Sequence, residues 1–120
     1  ERIGDHATKI AHLTLNIEEP LPESVVDAVN DLHGDAVEVI DTAMDALFET
    51  DPDGATRQAN EARTMVRAID ERVRAIDERL RDLDPTRAQL LGLVVDSVLR
   101  SADYGGNIAE TALQKAAPTP

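Results

Sequence analysis

The sequence has no cysteine and no tryptophan, and its only aromatic residues are Phe48 and Tyr104. Without thiols there is no disulfide framework, no thiolate nucleophile and no Cys-based metal site. With so few aromatics, a core must be built from Ala, Val, Ile and Leu, sizes that fill the space between closely packed helices. No apolar run approaches the roughly 18 residues of a membrane-spanning helix, and no signal peptide is recognisable. Lysine is scarce as well, with Lys9 and Lys115 set against 10 Arg. Acids dominate: 14 Asp and 10 Glu give a formal net charge of −12. A chain this acidic repels phosphate backbones and anionic bilayers, which speaks against direct nucleic-acid binding by this segment. A surplus of Asp with almost no Lys resembles proteins that work in molar salt, where dense carboxylates hold water and screening suppresses their repulsion. A halophilic source is predicted, and acidic clusters in such a chain carry less weight as sites.

The pattern that is present is helical. Residues 1–18 read as an amphipathic helix, stopped by Pro20 and Pro22. A second helix is predicted from Ser24 to Thr50, with Val25, Val29, Leu32, Ala36, Val39, Ala43 and Leu47 at alternating spacings of four and three. Asp51-Pro52 then supplies an N-cap followed by proline in the first helical position. The third helix runs to about Leu83 on the row Ala55, Ala59, Ala62, Val66, Ile69, Val73, Ile76, Leu80, Leu83. It includes the tandem RAIDERV RAIDERL at 67–80, read as a coiled-coil-like seam with a salt-bridged outer face. Asp84-Pro85 repeats the start signal, and a fourth helix extends to about Lys115 before the tail AAPTP. Strand signals are absent. Helices of ~30 residues are ~45 Å long, and short loops force them antiparallel. The predicted fold class is therefore all-α, an up-and-down antiparallel helical bundle. Its parts are a leading helix over 1–18, a three-helix unit over 22–116 and a frayed tail over 117–120.

Two segments resemble each other. ERIGDHATKIAH at 1–12 and LRSADYGGNIAE at 99–110 share the frame R-x-x-D-x-x-x-x-I-A after 98 residues, pairing Arg2 with Arg100 and Asp5 with Asp103. Residues four apart share a helix face, so Glu1 and Asp5 project together, as do Asp103 and Asn107. Hard cations, ferrous iron and zinc accept such oxygen ligands, but one helix offers too few and a second must complete the shell. The structural alternative for Asp5 and Asp103 is an (i, i+3) ion pair with Arg2 and Arg100, worth a few tenths of a kcal/mol. His6, His12 and His33 are scattered; His12 shares the Asp5–Lys9 face, but the three read as solvent-exposed. No Glu-x-x-His pair occurs, against a ferritin-like di-iron enzyme. No glycine-rich phosphate loop or nucleophile–base pair occurs either, so the chain does not read as an enzyme. Asp31–Asp35 and Asp41–Asp45 read as a solvated face. Gly105-Gly106 falls in mid-helix, where each glycine costs up to about 1 kcal/mol against Ala. The pair predicts a close backbone approach, to the first helix or a symmetry mate, with Tyr104 hydrogen-bonding across it.

ERIGDHATKIA resembles the signature of the PhoU family of phosphate-uptake regulators, usually close to E-R-I-G-D-x-A-x-N-I-A. The resemblance implies two three-helix repeats, each ending in a helix with this signature. Residues 22–116 would be the second repeat, and 1–18 the end of the last helix of the first. That would also explain why the chain opens in mid-helix without Met, its first repeat lying upstream. Members of the family hold metal ions on E(D)-x-x-x-D motifs from paired helices. Carried over, the metal ligands are Glu1 and Asp5 in one copy, with Lys9 in place of the usual Asn. In the other they are Asp103 and Asn107, with Leu99 in place of the first acid and Glu110 one turn on. Asp70 on the preceding helix is the implied partner of Asp103, followed by Arg74; a heptad slip would substitute Asp77. The implied cofactor is a divalent transition metal, iron or zinc. The implied function is a cytoplasmic regulatory adaptor that contacts phosphate transporter components or a sensor kinase. The alternative is a helical scaffold or dimerisation module without metal, self-associating as a homo-oligomer. From the composition, helical circular dichroism should fall as salt is lowered from molar to millimolar. An unchanged spectrum would remove the halophilic reading.

Overall fold

Proline and aspartate together set where the helices begin. The computed structural model describes residues 8 and 20–117, and in 20–117 there are three helices: α1 (Glu23–Phe48), α2 (Pro52–Leu80) and α3 (Pro85–Ala116). The Asp51 carboxylate accepts the Gly54 N–H at 3.2 Å and the Asp84 carboxylate accepts the Arg87 N–H at 3.2 Å. Each cap satisfies an otherwise orphaned donor, while the proline beside it had none to satisfy. At α1 the residue before the helix is Pro22, which has no capping side chain; its carbonyl accepts the N–H of Val25 and Val26, both at 3.1 Å.

α2 ends at Leu80, short of the expected Leu83. The chain leaves it through a tighter turn, with the Leu83 N–H donating to the Leu80 carbonyl at 3.1 Å. Proline at 85 keeps residue 84 in the extended region, so the helix must be unwound before it. α1 likewise ends at Phe48 rather than Thr50, because Glu49 and Asp51 are both extended ahead of Pro52.

Helix directions follow from two polar ties. Arg87, at the start of α3, donates from Nη1 to the Pro20 carbonyl at 2.9 Å, just ahead of α1. Lys115, near the end of α3, donates to the Leu47 carbonyl at 3.0 Å, near the end of α1. α1 and α3 are therefore parallel, and α2 returns between them. Each helix packs on the other two, giving an all-α up-and-down bundle with no strand among the described residues. Among these residues no helix is long and apolar enough to cross a membrane, and no polar or charged side chain is fully buried.

The core is graded along its length. Leu32, Val39, Ile69, Ile76, Leu91 and Val95 belong to one buried cluster. Toward the end where α1 and α3 finish, the buried residues are Ala43, Ala46, Ala59, Ala62, Ala109 and Ala112. Alanines at the centre of this cluster let the backbones come close together; Ala46 is buried there, while Leu47, which the heptad spacing places in the core, is only partly buried at its edge. Gly105 lies near this transition. A Cβ there would sit 2.8 Å from Val39 Cγ1 and 3.3 Å from the Ile40 backbone nitrogen. The close approach expected of the glycine pair is thus made by Gly105 alone, and its partner is neither the leading segment 1–18 nor a symmetry mate but α1, the second predicted helix. Gly106 would meet only Val66 Cγ2, at an ordinary 3.6 Å. No described residue has positive φ, so Gly105 is needed for space and not for backbone conformation.

Gly105→Ala should destabilise the bundle by about 1–3 kcal/mol, since backbone as well as side chain stands in the way. Gly106→Ala should instead stabilise it by up to about 1 kcal/mol through helix propensity. Denaturant unfolding of the two variants checks this, and equal effects would remove the packing explanation.

Candidate carboxylate site

The seam between α2 and α3 places one predicted site residue from each helix side by side. The position of Gly106 faces Val66 of α2. Asp103 lies three residues earlier on α3, about 60° round the helix on the same flank. Asp70 follows Val66 by four residues and shares its face of α2. The two carboxylates are near enough that they interact. The Asp103 pKa is raised above the ordinary carboxylate value, first because neighbouring groups strip water from its carboxyl and second because of the Asp70 charge. Although the residue as a whole is exposed, the carboxyl is partly shielded. Asp70, and not Asp77, is the acid whose charge acts on Asp103.

Asn107 is exposed one turn beyond Asp103 on α3. The ion pair considered for Asp103 is not formed, because Arg100 Nε turns the other way and bonds Asp96 Oδ2 at 3.2 Å. Among the described residues neither Asp70 nor Asp103 has an ion-pair partner. Two carboxylates close enough for one to act on the other form a locus where added positive charge is favourable. As a ligand set they are thin. Asp70, Asp103 and the Asn107 amide could hold one ion with water filling the remaining positions, whereas a multinuclear cluster needs more acids. No group of three or more His, Cys, Asp or Glu able to hold a metal occurs among the described residues. His33 is exposed on α1, away from this seam. Glu1, Asp5, His6 and His12 lie outside the described residues.

One interaction escaped the sequence reading. Asp35, taken as part of a solvated face, pairs with Arg72 across α1 and α2. The signal was available: Arg72 stands between the core residues Ile69 and Ile76, where a flanking charge reaches the neighbouring helix. Set against known protein families, characterised proteins and solved structures, the chain matches none of them.

A raised folded-state pKa means that the folded chain holds the Asp103 proton more tightly than the unfolded chain does. Stability contributed by this group is full below the unfolded value of 3.8 and is lost as pH rises through the folded value. Asp103→Asn should therefore raise the melting temperature at neutral pH, with the gain shrinking away below pH 3.8. A gain of the same size at both pH values would assign it to packing instead.

Proposed function

We propose that this chain is a regulatory adaptor of phosphate uptake and phosphate signalling, similar to PhoU proteins. It acts in the cytoplasm through contacts with phosphate transporter components or a sensor kinase. The observation that carries this reading is the position of the second signature copy. It lies on the last helix of a three-helix bundle, with its Asp103 set against Asp70 of the preceding helix. That juxtaposition suits a motif whose ligands come from paired helices. The frame shared by 1–12 and 99–110 supports it further, since the same four residues recur at the same spacing.

Asp70, Asp103 and Asn107 are the oxygen donors that would hold a single iron or zinc ion, and such an ion would offset the repulsion between the two acids. The thinness of the set also favours the second reading, a metal-free helical scaffold. Deleting the gene should raise phosphate uptake in phosphate-replete cells; uptake that still responds normally to phosphate would remove the adaptor reading. Elemental analysis of the protein purified without chelator should find about one transition metal per chain, lost in Asp103→Ala. A metal-free protein would take away the cofactor and leave the scaffold.

A further inference from the structure

Charge is divided unevenly among the helices. α2 carries six acids and six arginines, and α3 three acids and three bases. α1 carries seven acids, from Glu23 to Asp45, and no Lys or Arg. Solvation alone would spread acids over every exposed helix, yet the whole helical excess lies on one. Among the described residues, Asp35 is the one acid of α1 with an ion pair, to Arg72.

The same helix exposes apolar surface. Val37 is 43% exposed and Phe48 72%. They stand eleven residues apart, about three full turns, and so face the same way. Asp35 and its Arg72 partner mark the flank of α1 next to α2, and Val37 and Phe48 lie on the other side. Asp41 stands in their row, with Glu38 and Asp45 beside it. Tyr104 of α3 is the remaining exposed large hydrophobic among the described residues, at 37%. It adjoins Gly105 on the side away from α2, and so borders the same flank of α1.

Gly34 adds an independent sign. It lies in the interior of α1, where glycine costs about 1 kcal/mol against Ala. A Cβ at Gly34 would meet nothing within 4 Å, and its φ is not positive. Among the described residues, neither packing nor backbone conformation calls for glycine there. It precedes Val37 by three residues and Asp41 by seven, on one face. Gly92 has similar open space, but it is half-buried and belongs to a charge-balanced helix.

We infer that this face of α1 docks an amphipathic α-helix of a partner protein, one whose apolar ridge is flanked by Lys and Arg. Val37 and Phe48 meet the ridge, Glu38, Asp41 and Asp45 meet the cations, and Gly34 gives the partner backbone room to approach. A second copy of the chain suits the face poorly, because a two-fold contact centred on α1 would set its acids against themselves. The inference gives the adaptor reading a partner surface and rests on that reading only for its biological role.

The test is anisotropy of a labelled synthetic helix of about twenty residues, with Leu at i, i+4, i+7 and i+11 and Lys or Arg elsewhere, beside a scrambled peptide of identical composition. Salt is held at the lowest level at which circular dichroism shows the chain folded. The amphipathic peptide should bind at least about tenfold more tightly than the scrambled one, and Phe48→Ser should weaken it about tenfold. Gly34→Leu should weaken binding too while keeping or raising the melting temperature, which separates a docking effect from unfolding. Equal affinity for the scrambled peptide, absence of saturable binding, or unchanged affinity in both variants overturns the inference. So does sedimentation showing a dimer that Phe48→Ser dissolves, which would make the occupant a second copy. Carbodiimide coupling of Lys9 to Asp41 or Asp45 within the monomer would assign the face to the chain's own first segment, and overturn it as well. A normal phosphate response in the deletion strain would sink the adaptor role while leaving the peptide result intact.

Discussion

The approach of α3 to α1 at Gly105 is the constraint on which the other contacts depend. With no side chain at that point, the α3 backbone comes within reach of Val39 and Ile40. Beyond it the two helices continue on alanine contacts, Ala43 and Ala46 with Ala109 and Ala112, to the tie between Lys115 and the Leu47 carbonyl. Such a contact specifies rotation as well as distance. Turning α3 so that Tyr104 took this place would push a side chain into the Ile40 backbone. Because α3 cannot turn, Asp103 is held on the α2 flank opposite Asp70, and Tyr104 is held on the outer edge beside α1.

Rotation fixed in this way gives the bundle two unlike surfaces. On one, at the α2–α3 seam, two neighbouring acids have no ion-pair partner among the described residues. On the other, α1 presents acids and exposed apolar side chains together. α2 and α3 neutralise their own charges, so the field of the described bundle is directed chiefly outward from α1. An even acidic coat would act on solubility and hydration alone; a one-sided field also orients an approaching cationic partner.

The order and starts of the three described helices were legible in the sequence because they depend on local chemistry, while of the helix predicted over 1–18 only residue 8 is among the described residues. An Asp-Pro pair caps and opens a helix wherever it occurs, and the four-three spacing of Val25 through Ala43 marks one buried stripe whatever lies opposite. What could not be read locally was decided between helices. Gly105 and Gly106 are indistinguishable by propensity, and only the direction each faces separates a position that abuts a backbone from one that does not. Arg100 had two acids within one turn, on the same flank of α3, and only the structure shows that it bonds Asp96. The Asp70–Asp103 register was anticipated from the resemblance and not from spacing alone, since Asp77 fits the heptad equally well.

Both candidate surfaces contain a residue that costs stability where it stands. Asp103 loses water and faces a like charge, although an uncharged polar residue would fit the same exposed helix position. Gly34 weakens a helix that has open space for a larger side chain. Neither residue is required by the core, because the buried clusters are apolar and include neither of them. Residues that disfavour the fold without serving its packing collect where a chain meets something outside itself. In this bundle they fall on different helices and different faces. A cation at the seam would relieve the first, and close approach by a partner backbone would give the second its use, so the two surfaces can be occupied independently of each other.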